Sequence, residues 1–153
     1  MIDARMAYLV RQKLTNQAEY LAELKPYVAL EYAGYRRQIG YNRVTERLVQ
    51  IIVESAIDIN EKLIEAMNEP PSATARESFE MVCHFGVIDD ELSAAFRKTY
   101  VGLLRNHIVH AYEKLDDHVV YFNARRLLDD ATHYITAVRR FVEQNQGTTG
   151  ESQ

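Results

Sequence analysis

The stretch Asn42–Asn68, reading NRVTERLVQIIVESAIDINEKLIEAMN, decides the fold. Val44, Leu48, Ile51, Ile52, Ala56, Ile59, Leu63 and Ala66 recur at three- and four-residue intervals, the period of an amphipathic helix. No Gly or Pro interrupts the run, so it predicts one helix about 40 Å long at about 1.5 Å per residue. A helix of that length is the expected backbone of a bundle. Pro70-Pro71 follow and are expected to terminate it.

Working outward, the same period appears on both sides. Asp3 is placed to cap a first helix carrying Met6, Leu9, Val10, Leu14, Ala18, Leu21 and Leu24. Pro26 is expected to interrupt it and open a shorter helix to about Arg37. Downstream, Thr74-Ala75-Arg76-Glu77 reads as a capping box, starting a helix that ends near Gly86. Asp89 or Asp90 caps the next, which turns Leu92, Phe96, Tyr100, Leu103 and Leu104 inward and ends around Ala111 to Glu113. A last helix carries Val120, Ala124, Leu127, Ala131, Ile135, Val138 and Phe141. The expectation is an all-α bundle of five to six helices in one domain, residues 1–145, with residues 146–153 a polar, disordered tail.

Composition agrees. Across 153 residues, 47% are apolar and 26% charged, a globular balance, and six Gly and three Pro are too few for an all-β domain. No run is long and apolar enough to span a membrane. The start, Met1-Ile2-Asp3-Ala4-Arg5, lacks an apolar signal core, so a cytoplasmic protein is expected. A single cysteine, Cys83, excludes an internal disulfide framework and any multi-cysteine zinc site. Acids outnumber bases by 22 to 18, which disfavours binding nucleic acid by bulk charge. Yet Arg97 to Tyr112 holds Arg97, Lys98, Arg105 and two histidines with no acid, either a cationic site or a dipole-complementing helix end.

Within that stretch lie Arg105-Asn106 and Val109-His110-Ala111-Tyr112. They resemble the Arg-x4-His-x-Tyr signature of the HEPN superfamily, specifically the HepT-like toxins. Glu46-Arg47-Leu48-Val49-Gln50, Ser78-Phe79 and Phe85-Gly86-Val87-Ile88 extend the likeness, which covers roughly Tyr41 to Phe141. The tyrosine-rich segment from Tyr27 to Tyr41 carries none of it. The resemblance implies a HEPN-type helical bundle and a toxin that cleaves cellular RNA, tRNA or mRNA. It also implies a homodimer with two motifs facing one cleft. The partner it implies is a cognate MNT-type nucleotidyltransferase acting as antitoxin, which attaches AMP to the matching tyrosine, Tyr112 here.

The residue types suit that chemistry. RNA carries its own nucleophile, the 2′-hydroxyl, so cleavage needs a proton carrier and a cation on the phosphate. His110 fits the first role and Arg105 the second, with Asn106 placed to donate to the phosphate or orient His110. At about 100° per residue, however, positions five apart on an α-helix diverge by about 140°. Either the last turn unwinds near His110 or the site is assembled across a dimer, which the resemblance favours.

His107, Arg97, Lys98, Arg43 and Arg47 are candidate RNA contacts, set against the plainer reading of solvated charges. His107 and His110 lack the further carboxylate–histidine units that a di-iron bundle needs, so neither metal nor cofactor is expected. Cys83 reads as core and His118 and His133 as surface. The ten tyrosines read mostly as half-buried packing. Two competing functions remain beside the nuclease: a non-catalytic HEPN module that binds nucleotide or docks a nucleotidyltransferase, and a metal-binding bundle.

Overall fold

The computed structural model describes residues 1–105 and 116–147. In chain order these form α1 (Ala4–Ala29), α2 (Tyr32–Arg37), α3 (Tyr41–Ala66), α4 (Ala75–His84) and α5 (Asp90–Ala95). A π-helical segment, π1 (Phe96–Arg105), continues α5, and α6 (Asp117–Asn145) follows. Among the described residues there is no β-strand, only an isolated bridge between Ile2 and Gln146. The bundle is all-α, as expected.

α3 runs through the middle, with α1, α4, π1 and α6 packed around it. Its buried stripe is Leu48, Ile52, Ala56, Ile59 and Leu63, joined by Val49, Val53 and Ile64. α6 buries every position that the period assigns inward, from Val120 to Phe141. Each Val, Leu, Ile or Phe among them contributes about 1.5–3 kcal/mol on leaving water, which is what holds the layers together.

Local chemistry sets the helix ends. The Asp3 carboxylate accepts from the Met6 N–H at 2.8 Å, and Asp89, not Asp90, caps α5 by accepting from the Leu92 N–H at 2.8 Å. Thr74 accepts from the Glu77 N–H at 3.1 Å, while Glu77 reaches back to the Ala73 N–H at 2.9 Å, closing the capping box one residue further out. α4 ends in a Schellman turn: Gly86 takes φ +84°, and the Val87 N–H donates to the Val82 carbonyl at 2.9 Å.

Several expectations need correction. Pro26 does not break α1, which continues to Ala29. The missing N–H leaves the Ala22 carbonyl without its helical donor, but Leu24 and Val28, both buried, pin the turn on either side. The real break comes at Leu30, whose carbonyl accepts from the Tyr121 hydroxyl of α6 at 2.6 Å. α3 stops at Ala66, before the prolines, because Asn68 adopts φ 58° and the Glu69 N–H donates to the Ile64 carbonyl at 3.2 Å. Ala18 and Val44 are exposed, and the adjacent Gln17 and Thr45 are buried in their stead. Leu103 is likewise exposed.

Cys83 is half-buried rather than core, its thiol donating to the Asp90 carboxylate at 3.2 Å. Four tyrosines, Tyr35, Tyr100, Tyr121 and Tyr134, are fully buried rather than half-buried. His118 and His133 are exposed. At the C-terminal end, Gln146 and Gly147 are held to the N-terminus. The Ile2 N–H donates to the Asn145 carbonyl at 2.7 Å, and the Gly147 N–H donates to the Ile2 carbonyl at 2.9 Å. Residues 148–153, the rest of the expected tail, lie outside the described residues.

Candidate active site and nucleic-acid interface

Of the motif, the structure describes Arg105; Asn106, His107, His110 and Tyr112 lie outside the described residues, as does the expected helix end at Ala111 to Glu113. Arg105 closes π1, whose buried side, Phe96, Tyr100, Val101 and Leu104, packs on the bundle. Phe96 stacks on Phe79 of α4 with centroids 4.8 Å apart. Tyr100 hydrogen-bonds Asp130 of α6. π1 is thereby clamped on two sides, and Arg105 is delivered by a rigid element.

The Arg105 side chain lies along α3. Its Nε stands 3.8 Å from a Glu54 carboxylate oxygen, and its side chain is 30% exposed. That separation is too long for a hydrogen bond, and Nε is buried with no hydrogen-bond partner among the described residues. A partly exposed pair at this distance is a weak tether. Among the described residues it leaves the terminal nitrogens of the guanidinium unengaged.

π1 winds more loosely than an α-helix up to Arg105. In π-helical winding each N–H bonds to the carbonyl five residues back, and at about 4.4 residues per turn residues five apart, such as Tyr100 and Arg105, diverge by about 50°. The divergence calculated from sequence runs from Arg105 to His110, which lies outside the described residues.

The other basic candidates separate into three places. Arg43 and Arg47 are exposed on α3, on the stripe Arg43, Arg47, Gln50, Glu54 that ends at the partner of Arg105. Arg47 donates to Gln50 at 3.1 Å. Arg97 turns the other way, donating to Ser93 at 3.2 Å and pairing with Glu80 of α4 at 3.5 Å. Lys98 lines a groove of about 890 Å³ between α5, π1 and α6, where Arg126 and Arg140 face Asp89, Glu91 and Asp130. The signs cancel there, so this groove has no net attraction for phosphate. Arg43 and Arg47 share a face with the Arg105 contact; Arg97 and Lys98 do not.

Glu54 is the residue that sequence reasoning missed. It falls seven positions after Arg47, so its stripe is readable from helical spacing, but nothing in the sequence says that Arg105 arrives there. Among the described residues no three His, Cys, Asp or Glu side chains converge to hold a metal ion, and no helix is long and apolar enough to cross a membrane.

Comparison with known proteins gives this geometry its setting. A tRNA nuclease HepT from Aphanizomenon flos-aquae (strain 2012/KM1/D3) is 25% identical over 134 residues, covering 88% of this chain and 90% of that protein. The solved structure of a tri-AMPylated Shewanella oneidensis HEPN toxin in complex with an MNT antitoxin superposes with a TM-score of 0.76 at 20% identity, covering 86% of this chain and 96% of that one. YutE, a cytosolic Bacillus subtilis protein of unknown function, gives a TM-score of 0.77 at 12% identity, covering 94% of each chain. These two show a shared fold. The family model for HepT-like ribonucleases matches residues 18–142, and the chain belongs to that family.

Proposed function

We propose that this protein is the toxin of a HEPN/MNT toxin–antitoxin pair: a metal-independent endoribonuclease acting in the cytoplasm on cellular RNA, tRNA foremost. The observation that carries the reading is Arg105. It is a cation held by one long ion pair at the end of a clamped helix, at the first position of the Arg-x4-His-x-Tyr motif. The activity of the cyanobacterial relative, a tRNA nuclease, supports tRNA as the substrate class.

In this reading Arg105 faces the non-bridging oxygens of the scissile phosphate and neutralises the charge that builds on them. His110 takes the proton from the 2′-hydroxyl as its oxygen bonds to phosphorus, and the departing 5′-oxygen takes a proton in return. Asn106 donates to the phosphate or orients His110. Arg43 and Arg47 extend the cationic line along α3. The protein works as a homodimer, its motifs facing a shared cleft. A cognate MNT-type nucleotidyltransferase silences it by moving AMP from ATP onto the Tyr112 phenol, releasing pyrophosphate. The AMPylated state of the Shewanella toxin beside its MNT partner supports that step. An attached phosphodiester places an anion where RNA would bind.

One set of assays tests the reading. Purified protein is expected to cleave tRNA in EDTA, and Arg105→Ala or His110→Ala to slow cleavage by about 100-fold or more with an unchanged circular dichroism spectrum. Mixing the two variants restores partial activity if one site draws on both protomers. Incubation with the nucleotidyltransferase and ATP adds AMP mass to the Tyr112 peptide, and Tyr112→Phe escapes it. Activity that vanishes with chelator and returns with a divalent ion overturns the metal-free mechanism.

A further inference from the structure

The seam between α1 and the start of α3 holds an open hollow of about 530 Å³ lined by Glu23, Pro26, Tyr27, Tyr41, Val44 and Leu48. Its aromatic wall is rigid. Tyr27 and Tyr41 meet edge to face with centroids 4.9 Å apart, and Tyr41 is backed by Tyr35 at 6.4 Å. Val44 is 38% exposed there, an apolar side chain left facing water. On the rim, Glu23 makes no hydrogen bond or ion pair among the described residues. An apolar, aromatic corner with one unengaged carboxylate suits a planar ligand that stacks on one ring face and donates hydrogen bonds at its edge.

The hollow opens about 110° around α3 from the stripe of Arg43, Arg47 and Glu54, and Val44 on its edge, three residues before Arg47, is where the two surfaces meet. From Glu54, the contact of Arg105, to Tyr41 is thirteen residues of one helix, about 20 Å at about 1.5 Å per residue. Arg47 and Arg43 stand between them on the exposed stripe. With the turn around α3 included the surface path is about 25 Å, so a strand with its scissile phosphate at Arg105 reaches the hollow within about eight stacked nucleotides at about 3.4 Å each. We propose that the Tyr27–Tyr41–Glu23 hollow is a base-reading subsite for the RNA substrate, taking one unpaired guanine some nucleotides away from the cleaved bond, while Arg43 and Arg47 hold the intervening phosphates. Guanine is the base whose N1–H and N2 amino group present two adjacent donors to the two oxygens of a carboxylate. This inference rests on the nuclease reading for its function, and on the hollow alone for its ligand.

The test uses wild-type protein and fluorescein-labelled 2′-O-methyl oligouridylate 12-mers, which lack the nucleophile and so bind intact. One position at a time carries guanosine or inosine. At one position guanosine is expected to tighten binding about tenfold over uridine, with inosine falling short because it lacks the amino group. Glu23→Gln removes the guanosine-over-inosine preference, and Tyr27→Ala weakens binding about tenfold while Tyr27→Phe does not. Arg43→Ala and Arg47→Ala each lower the slope of log affinity against log salt by about 0.7. A 6-thioguanosine at the preferred position crosslinks on irradiation to the Tyr27 or Tyr41 peptide. Equal affinity for all three bases, or a crosslink that maps elsewhere, overturns the subsite. Cleavage of ordinary RNA is scored separately: a base preference without cleavage refutes the nuclease and keeps the subsite, and cleavage without preference does the reverse.

Discussion

Gln17 lies wholly inside the α1–α3 contact, its amide group donating to the Ile52 carbonyl at 3.1 Å. Its own carbonyl oxygen is buried with no partner among the described residues. Such an orphan costs about 1–3 kcal/mol, more than the net gain of one hydrogen bond to a carbonyl that the helix already engages. Gln17→Met keeps the length of the side chain and removes the polar atoms. It is expected to raise the urea midpoint by an amount equivalent to about 1 kcal/mol. A lower midpoint would mean that the bond to Ile52 outweighs the orphan. Gln17 also marks where sequence and structure part company: helical period picks Ala18 for the core. A one-residue rotation of the buried stripe toward a polar side chain is a tertiary outcome that no residue-type rule contains. Glu54 is the same case at the candidate site, since its partner Arg105 comes from another element.

At the level of helices, α6 was legible throughout, because an uninterrupted apolar stripe admits one rotation only. Pro26 misled because the rule for proline weighs the lost hydrogen bond and ignores the buried neighbours Leu24 and Val28. The π winding of Phe96–Arg105 was not legible, since Leu92, Phe96, Tyr100 and Leu104 recur every four residues, a spacing that reads as α-helix. Gly102 carries its physical mark. A Cβ built there meets the Arg97 carbonyl oxygen, five residues back, at 3.0 Å, and Arg76 Nη2 at 2.8 Å. Arg76 is a long exposed side chain and can move, whereas the carbonyl belongs to the winding itself. Gly102→Ala stabilises an ordinary exposed helix by about 1 kcal/mol, but here the sign is expected to reverse, with a loss of about 1 kcal/mol. Thermal unfolding of the variant reads this directly, and a raised Tm would show that π1 tolerates a Cβ.

Across the whole molecule, buried tyrosines pin helix to helix. Tyr134 of α6 donates from its hydroxyl toward the Ala56 carbonyl and Asn60 of α3, and Asn60 donates in turn to Ser78 of α4 at 3.1 Å. Tyr35 donates to Asn42 at 2.6 Å. Burial pushes the Tyr35 phenol up to about 12, and raises Tyr100 and Tyr134 as well, the first also through its bond to Asp130. The unfolded chain loses these protons near pH 10 while the folded chain keeps them, so the tyrosine contribution is complete below about pH 10 and falls as pH rises from there toward 12. The urea midpoint is expected to drop between pH 10 and 12, less steeply in Tyr35→Phe; a level midpoint over that range contradicts the assignment. The bridge between Ile2 and Gln146 carries a consequence for synthesis. Ile2 is made before the backbone groups that engage it at Asn145 and Gly147, which follow well over a hundred residues later. The terminal clasp can close only when translation has passed that point. A nascent chain released early lacks it, so the two ends of the bundle are joined only after nearly all of its helices have been made.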